Sequence, residues 1–252
     1  MFTDTHCHLE QLDDPESALK RAREVGVARV VAVAEDLASM ESILKLRDAF
    51  PGQVLLGVGF HPMFTPSRAV REIDAALKRV EELAPQAAVV GEIGLDFKYA
   101  QEEEQKSYQR EVLQRQLEIA ARFGKPINLH SRWAQRQTME VAIEFTRETG
   151  LGAQLHWFTQ SKKLIRRTNE AGVYVSVGPS VLSSEEARAV TATIRPDLLL
   201  LETDGPVPFG GSSAEPSWIP RVAGVVAELW GCTLEEVGRR TEENFQRLLG
   251  RS

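Results

Sequence analysis

The sequence predicts an α/β fold: a single (β/α)₈ TIM barrel with an extra C-terminal helix. Short apolar, β-branched runs alternate with longer amphipathic stretches from one end of the chain to the other. Eight strand-then-helix units can be delimited, and right-handed crossovers close eight parallel strands into a barrel. The chain's 252 residues also match the roughly 250 typical of one such barrel. No linker or internal repeat interrupts the pattern, so residues 1–252 are expected to form one domain.

In order, strands are expected at 2–9, 29–34 (RVVAVA) and 54–60 (VLLGVGF), followed by helices at 15–25, 37–50 and 68–83. The fourth unit pairs a strand at 88–94 with a helix at 101–123, whose acidic start at 102–104 suits the helix dipole. Strands at 126–131, 152–158 and 173–179 precede helices at 134–149, 162–171 and 184–193. The eighth strand spans 198–205 and leads, through a loop rich in Gly, Pro and Ser, to a helix at 215–230. That loop, 205–217, reads as part of an active site and not as a domain boundary. A last helix, 234–249, opens after Thr233 with Glu236 three positions on, the capping-box spacing. An open doubly wound sheet would give the same alternation, but there is no GxGxxG turn after the first strand and no Walker loop.

Composition excludes several classes. With 30 basic against 36 acidic residues the formal charge is −6, which argues against a broad basic surface that coats nucleic acid. Two cysteines cannot build a disulfide framework, so a reducing, cytoplasmic setting is expected. No apolar stretch approaches the roughly 20 residues that cross a bilayer, and the polar start MFTDTHCHLE shows no signal peptide.

The five histidines carry the chemistry. His6 and His8 end the first strand two residues apart, so their imidazoles share a face. His61 follows the third strand, His130 ends the fifth and His156 ends the sixth. Two carboxylates fall at equivalent places, Glu92 on the fourth strand and Asp204 on the eighth. In a barrel all these ends ring one mouth, where catalysis occurs. A lone HxH pair is as readily a buried hydrogen-bonded pair as a metal site, but five histidines and two carboxylates on one rim are hard to explain as packing. His6, His8, Glu92, His130, His156 and Asp204 supply the nitrogen and bridging-oxygen donors that suit a pair of divalent cations. His61, in Gly59-Phe60-His61-Pro62, is expected to face substrate, and Arg132 to grip a non-bridging phosphate oxygen unless it only forms a surface ion pair.

The flanking residues sharpen the picture. Asp4 and Glu202 lie two residues before liganding positions and are expected to orient ligands or to sit as buried polar groups. Cys7 and Trp157 alternate away from the mouth into the core, and Cys232 is structural. Trp133 and Trp218 fall on the rim, where they stack a nucleobase or simply cover the mouth.

With these residues in place, the chain resembles the TatD-type metal-dependent hydrolases (TatD-related deoxyribonucleases) of the amidohydrolase superfamily. The stretches that carry the resemblance are Asp4-Thr5-His6-Cys7-His8-Leu9, Gly59-Phe60-His61-Pro62, Gly91-Glu92-Ile93-Gly94-Leu95-Asp96 and Asn128-Leu129-His130-Ser131-Arg132. His156-Trp157-Phe158, Leu201-Glu202-Thr203-Asp204-Gly205-Pro206 and Thr241-Glu242-Glu243-Asn244 complete the series, in the family's order across nearly the whole chain. The resemblance implies that His6 and His8 bind one metal, Glu92 bridges, and His130 and His156 bind the second. It implies that Asp204 binds metal and acts as general base. Met63-Phe64, Trp133-Ala134 and Ser212-Ser213-Ala214 depart from the family pattern in rim loops, which bears on substrate more than on metals.

The activity so implied is hydrolysis of phosphodiester bonds, as a deoxyribonuclease working 3′ to 5′ on single-stranded DNA ends through a water activated by two divalent ions (zinc, magnesium or manganese). Glu92 and Asp204 carry −2 between them and two such ions carry +4, so a loaded site attracts phosphate inside an acidic protein. Two other readings compete: a metal-dependent ester or amide hydrolase acting on a small molecule or an aminoacyl-tRNA, and a binding protein that kept the fold. Within the first, amide or lactone hydrolysis is weakened because no lysine, the bridging residue of many amidohydrolases, lies in 88–94, while deacylation of an aminoacyl-tRNA stays open because it needs only a polarised carbonyl. The complete ligand set argues against the second.

Overall fold

The computed structural model describes residues 1–159 and 161–251. The strands are β1 (Phe2–Cys7), β2 (Val27–Val33), β3 (Val54–Val58), β4 (Val89–Asp96), β5 (Ile127–Arg132), β6 (Ala153–Leu155), β7 (Tyr174–Val177) and β8 (Leu199–Leu201). They form one sheet in the order β1 to β8, each paired in parallel with the next. Helices α1 (Pro15–Glu24), α2 (Leu37–Ala49), α3 (Val70–Leu83), α4 (Glu103–Arg122), α5 (Gln135–Thr149), α6 (Lys162–Ala171), α7 (Glu185–Thr191) and α8 (Ile219–Trp230) follow the eight strands in turn. The result is a nearly closed barrel. Its seam between β8 and β1 is stitched by the Asp204 N–H to the His6 carbonyl at 3.0 Å and the His8 N–H to the Gly205 carbonyl at 2.8 Å.

Side chains reinforce that seam. The Asp4 carboxylate accepts from the Thr203 N–H at 3.1 Å and from the Thr203 hydroxyl, while the Thr5 hydroxyl donates to the Leu201 carbonyl at 3.0 Å. Asp4, which also accepts from the His6 N–H at 3.3 Å, therefore ties together the backbones that carry His6 and Asp204.

The extra helix, α9 (Leu234–Leu248), closes the end of the barrel opposite the histidines. Phe245 and Leu248 enter an apolar cluster with Val31, Val33, Val89, Tyr174, Leu198 and Leu200, which fills the lower lumen. Asn244 fixes the helix by donating its amide to the carbonyls of Pro196 at 2.9 Å and Leu199 at 2.7 Å. Thr233 caps α9 by accepting from the Glu236 N–H at 3.1 Å, but the Glu236 side chain pairs with Arg240 instead of completing the capping box.

Several strands end earlier than the apolar runs suggest. β3, β6 and β8 stop at Val58, Leu155 and Leu201, so His61, His156 and Asp204 stand just beyond the ladder. The loop after β8 also folds a small antiparallel hairpin, β9 (Pro208–Phe209) with β10 (Ser212–Ser213), around Gly210 and Gly211, both at positive φ.

Candidate metal centre

Each functional side chain is aimed by a local feature of its strand. On β1, alternation points Asp4 and His6 inward and sends Cys7 outward into the core, fully buried, while His8, just past the strand end, lines the cavity. On β4 the ladder to β5 shifts register between Val90 and Ile93, and this bulge carries Glu92 into the lumen. Gly94 makes the bulge possible: at φ +145° a Cβ would lie 2.2 Å from the His130 carbonyl oxygen. Asp204 is held at φ +51°, an uncommon conformation for a residue with a side chain, of the kind that clusters at active sites.

Glu92 is the hub. Its Oε2 lies 3.5 Å from His6 Nε2 and 3.3 Å from His8 Nε2, and both of those nitrogens are 3.4 Å from Asp204 Oδ1. Its Oε1 lies 2.8 Å from His130 Nδ1, 2.9 Å from His156 Nε2 and 3.3 Å from His61 Nε2. One carboxylate thus divides the histidines into two sets, one on each oxygen. His6 Nε2 and Glu92 Oε2 are buried without a hydrogen-bond partner, so these lone pairs are left for something other than protein. Overlapping triads with all donor atoms within 4.8 Å of one another, among them His6–His8–Glu92 and His61–Glu92–His130, are candidate metal-holding groups.

Hydrogen bonds behind the rings decide which nitrogen faces the hub. Asn128 donates its amide to the Thr5 carbonyl at 3.2 Å, which turns its Oδ1 to His6 Nδ1 at 2.9 Å, puts that ring's proton on Nδ1 and frees Nε2. Asp96 Oδ2, 3.0 Å from His130 Nε2, likewise leaves His130 Nδ1 for the hub. Glu202 faces His156 Nδ1 at 3.7 Å while accepting from the Trp157 N–H at 2.7 Å and the Ser176 hydroxyl at 2.6 Å. His61 is built the other way. Its Nδ1 accepts from the Met63 N–H at 3.1 Å, so a neutral ring carries its proton on Nε2, the atom facing Glu92. His61 therefore presents a donor to the cavity and, despite its place in one triad, is poorly set up to ligate.

The same contacts set the charges. Burial disfavours charged imidazoles here, but Asp204 and Glu92 outweigh it at His8, and Asp96 and Glu92 at His130, holding each at about 9. His6 is also held well above its ordinary value, Glu92 and Asp204 overcoming its burial. Burial prevails at His61, which is lowered. Despite burial, the surrounding imidazoles hold Glu92 and Asp204 well below the usual carboxylate range. Burial pushes the Asp4 carboxyl up to about 7. A proton or a cation must stand between each close nitrogen–oxygen pair, and the two compete for the same places.

The histidines and carboxylates open into a cavity of about 570 Å³ that is also lined by Met63, Tyr99, Arg132, Trp157 and the Pro206–Pro208 turn. All of the sequence-predicted site residues line it except His6, which lies fully buried behind. Trp157 corrects its expected place in the core. At φ +43° just past the end of β6 it leaves strand alternation and lines the mouth. The Trp218 ring is covered by the Arg221 guanidinium, 4.4 Å from its centroid, and lies outside the cavity lining. Asp96 and Asn128 were not singled out for roles from sequence. Each shares strand parity with a candidate ligand, Glu92 and His130 respectively, and that is the available signal.

The family profile described as TatD related DNase matches residues 3–250. The chain belongs to the TatD family. Among its TatD relatives, the human protein named deoxyribonuclease TATDN3 is 33% identical over 98% of this chain and 94% of its own. The Bacillus subtilis (strain 168) protein named "uncharacterized metal-dependent hydrolase YabD" is 32% identical over 98% of each chain. The crystal structure of the TatD homologue YJJV from Escherichia coli K12 superposes with a TM-score of 0.87 at 26% identity, covering 100% of this chain and 98% of that one. The TatD barrel is thus the fold of this chain along its whole length. Among the described residues, no helix is long and apolar enough to cross a membrane.

Proposed function

We propose that this TatD-family chain is a divalent-metal-dependent phosphodiesterase that removes nucleotides from single-stranded DNA ends in the 3′-to-5′ direction. The observation that carries the reading is the division of the histidines by Glu92. His6, His8 and Asp204 meet one carboxylate oxygen or its neighbourhood, and His130 and His156 meet the other. We assign the first set to one cation, the second to another, and Glu92 to the bridge. When bound, two such ions supply Lewis-acid polarisation of the phosphate and activation of the attacking water.

The protein groups do the rest. Asp204, kept ionised and lining the cavity, takes the proton from the attacking water. His61 offers its Nε2 proton to a substrate oxygen beside Glu92. Arg132 is exposed on the cavity wall and has no ion-pair partner among the described residues, so its guanidinium is available to grip a non-bridging phosphate oxygen. The imidazole-rich donor set suits zinc by affinity, and manganese and magnesium, which the carboxylates favour, are the other ions to test. The human relative's name, deoxyribonuclease, supports the choice of substrate.

The test is hydrolysis of a single-stranded oligonucleotide labelled at its 3′ or 5′ end, with Mg²⁺, Mn²⁺ or Zn²⁺. The expected result is immediate release of a 3′ label as mononucleotide, and a descending ladder from the 5′-labelled strand. A protein that binds the ions yet leaves every oligonucleotide intact contradicts the reading.

A further inference from the structure

Resting on the phosphodiesterase reading, we propose that Tyr99 and Trp133 form a stacking platform for an unpaired nucleobase, with Lys98 and Arg132 holding the phosphate beside it. Among the described residues, Tyr99 and Trp133 are the only exposed aromatic side chains, 46% and 65% accessible. Both stand just past the ends of the neighbouring strands β4 and β5, Tyr99 in the cavity lining and Trp133 outside it, next to Arg132. Asp96 and Arg132 are register partners at the ends of β4 and β5, and the Phe97 N–H donates to the Arg132 carbonyl at 2.9 Å. Tyr99 follows Asp96 by three residues, Trp133 follows Arg132 directly, and Tyr99 and Arg132 line the cavity that holds the candidate metal ligands.

Packing does not account for this pair. An indole exposed to water gains little from burial, and Trp133 sits at φ +56°, a conformation that bulky residues rarely adopt without a functional reason. The neighbouring charges point to the occupant. Lys98 and Arg132 form no ion pair among the described residues, in a chain whose net charge is −6. Aromatic faces beside uncompensated cations, at the edge of a phosphodiester-cleaving cleft, are the chemistry that recognises a single-stranded polynucleotide. In a duplex each base already stacks on its neighbours, so such a platform selects frayed ends and single strands.

The experiment crosses protein variants with an abasic substrate. A tetrahydrofuran residue is walked through the positions near the cleaved end of a single-stranded oligonucleotide. KM is then measured for the unsubstituted protein, Tyr99→Ala/Trp133→Ala and Trp133→Phe. At one position the abasic residue should raise the KM of the unsubstituted protein by roughly 5- to 150-fold, the range of base–aromatic stacking. The double variant should show that raised KM with either substrate, and Trp133→Phe should restore discrimination. Lys98→Ala should flatten the log–log salt dependence of binding by about 0.7, the slope of one lost contact to a single strand. Losses from the variant and the abasic residue that simply add overturn the platform, as does a double variant that changes oligomeric state, which would mark the aromatics as a contact between copies. An unsubstituted protein that cleaves no oligonucleotide overturns the functional reading itself, so the two failures are distinguishable.

Discussion

Asp96→Asn removes a negative charge while keeping the side chain's shape, and the contacts of Asp96 fix what is lost. Its Oδ2 faces His130 Nε2 at 3.0 Å and its Oδ1 accepts from the Lys98 N–H at 3.0 Å. An asparagine has one acceptor oxygen and cannot serve both donors. If the oxygen stays on Lys98, the amide NH₂ meets His130 Nε2 and forces the ring proton onto Nδ1, the atom 2.8 Å from Glu92. If the oxygen turns to His130, the Lys98 N–H loses its partner. Either outcome costs a charge-assisted hydrogen bond of about 1.5–3 kcal/mol. That agrees with the 10- to 100-fold loss in affinity typical when the partner behind a metal-bound histidine is removed, about 1.4–2.7 kcal/mol. Calorimetric titration of Zn²⁺ or Mn²⁺ into the metal-free variant should show one of two binding steps weakened by that factor and the other unchanged. Two unchanged steps in a protein of normal melting behaviour would refute the aiming of His130 by Asp96.

The other predictions follow from the same geometry. Metal content measured on purified variants should fall by one ion for His156→Ala and stay at two for His61→Ala, whose defect should appear as a raised KM; the reverse pattern contradicts the tautomer assigned to His61. Because His8 and His130 are held at about 9, both are protonated at pH 7 without a cation, so ion binding must release protons and tighten as pH rises toward 9. Calorimetry in buffers of different ionisation enthalpy reads that release, and affinity constant between pH 6.5 and 9 would be the contrary result. The stability that these protons contribute is complete below the unfolded value of about 6.5 and is lost as pH rises through about 9. The metal-free protein's Tm should therefore fall over that window, while a flat Tm counts against it. Phe245→Ala should cost about 3–5 kcal/mol in denaturant unfolding by emptying the lower lumen, and a cost near zero would show that α9 does not plug the barrel.

Much of this architecture is written in local pattern. Short apolar runs, mostly β-branched, locate the barrel strands, and two-residue parity puts His6 and His8 on one face without any knowledge of the rest. Parity fails where the ladder stops. Trp157 follows Leu155 by two residues, but with the strand already ended its left-handed φ turns it to the mouth. The β4 bulge is equally invisible, since a register shift is a property of two strands and depends on Gly94 passing close to His130. Ring tautomers lie furthest from the sequence. His61 and His6 are the same residue type on the same rim, and only the Met63 N–H behind one and Asn128 behind the other leave the first with a proton on Nε2 and the second with a free lone pair there. The Gly210-Gly211 hairpin falls in a segment whose composition marks only a loop, and its two-residue strands are too short to register as a pattern.

Anomalous diffraction from crystals soaked in Mn²⁺ or Zn²⁺ tests the central claim, that Glu92 holds two cations side by side, most directly. The account predicts two peaks about 3.5–4 Å apart, one beside His6, His8 and Asp204 and the other beside His130 and His156, with Glu92 between them. A single peak at full soaking, or a peak ligated by His61 through Nε2, would contradict it.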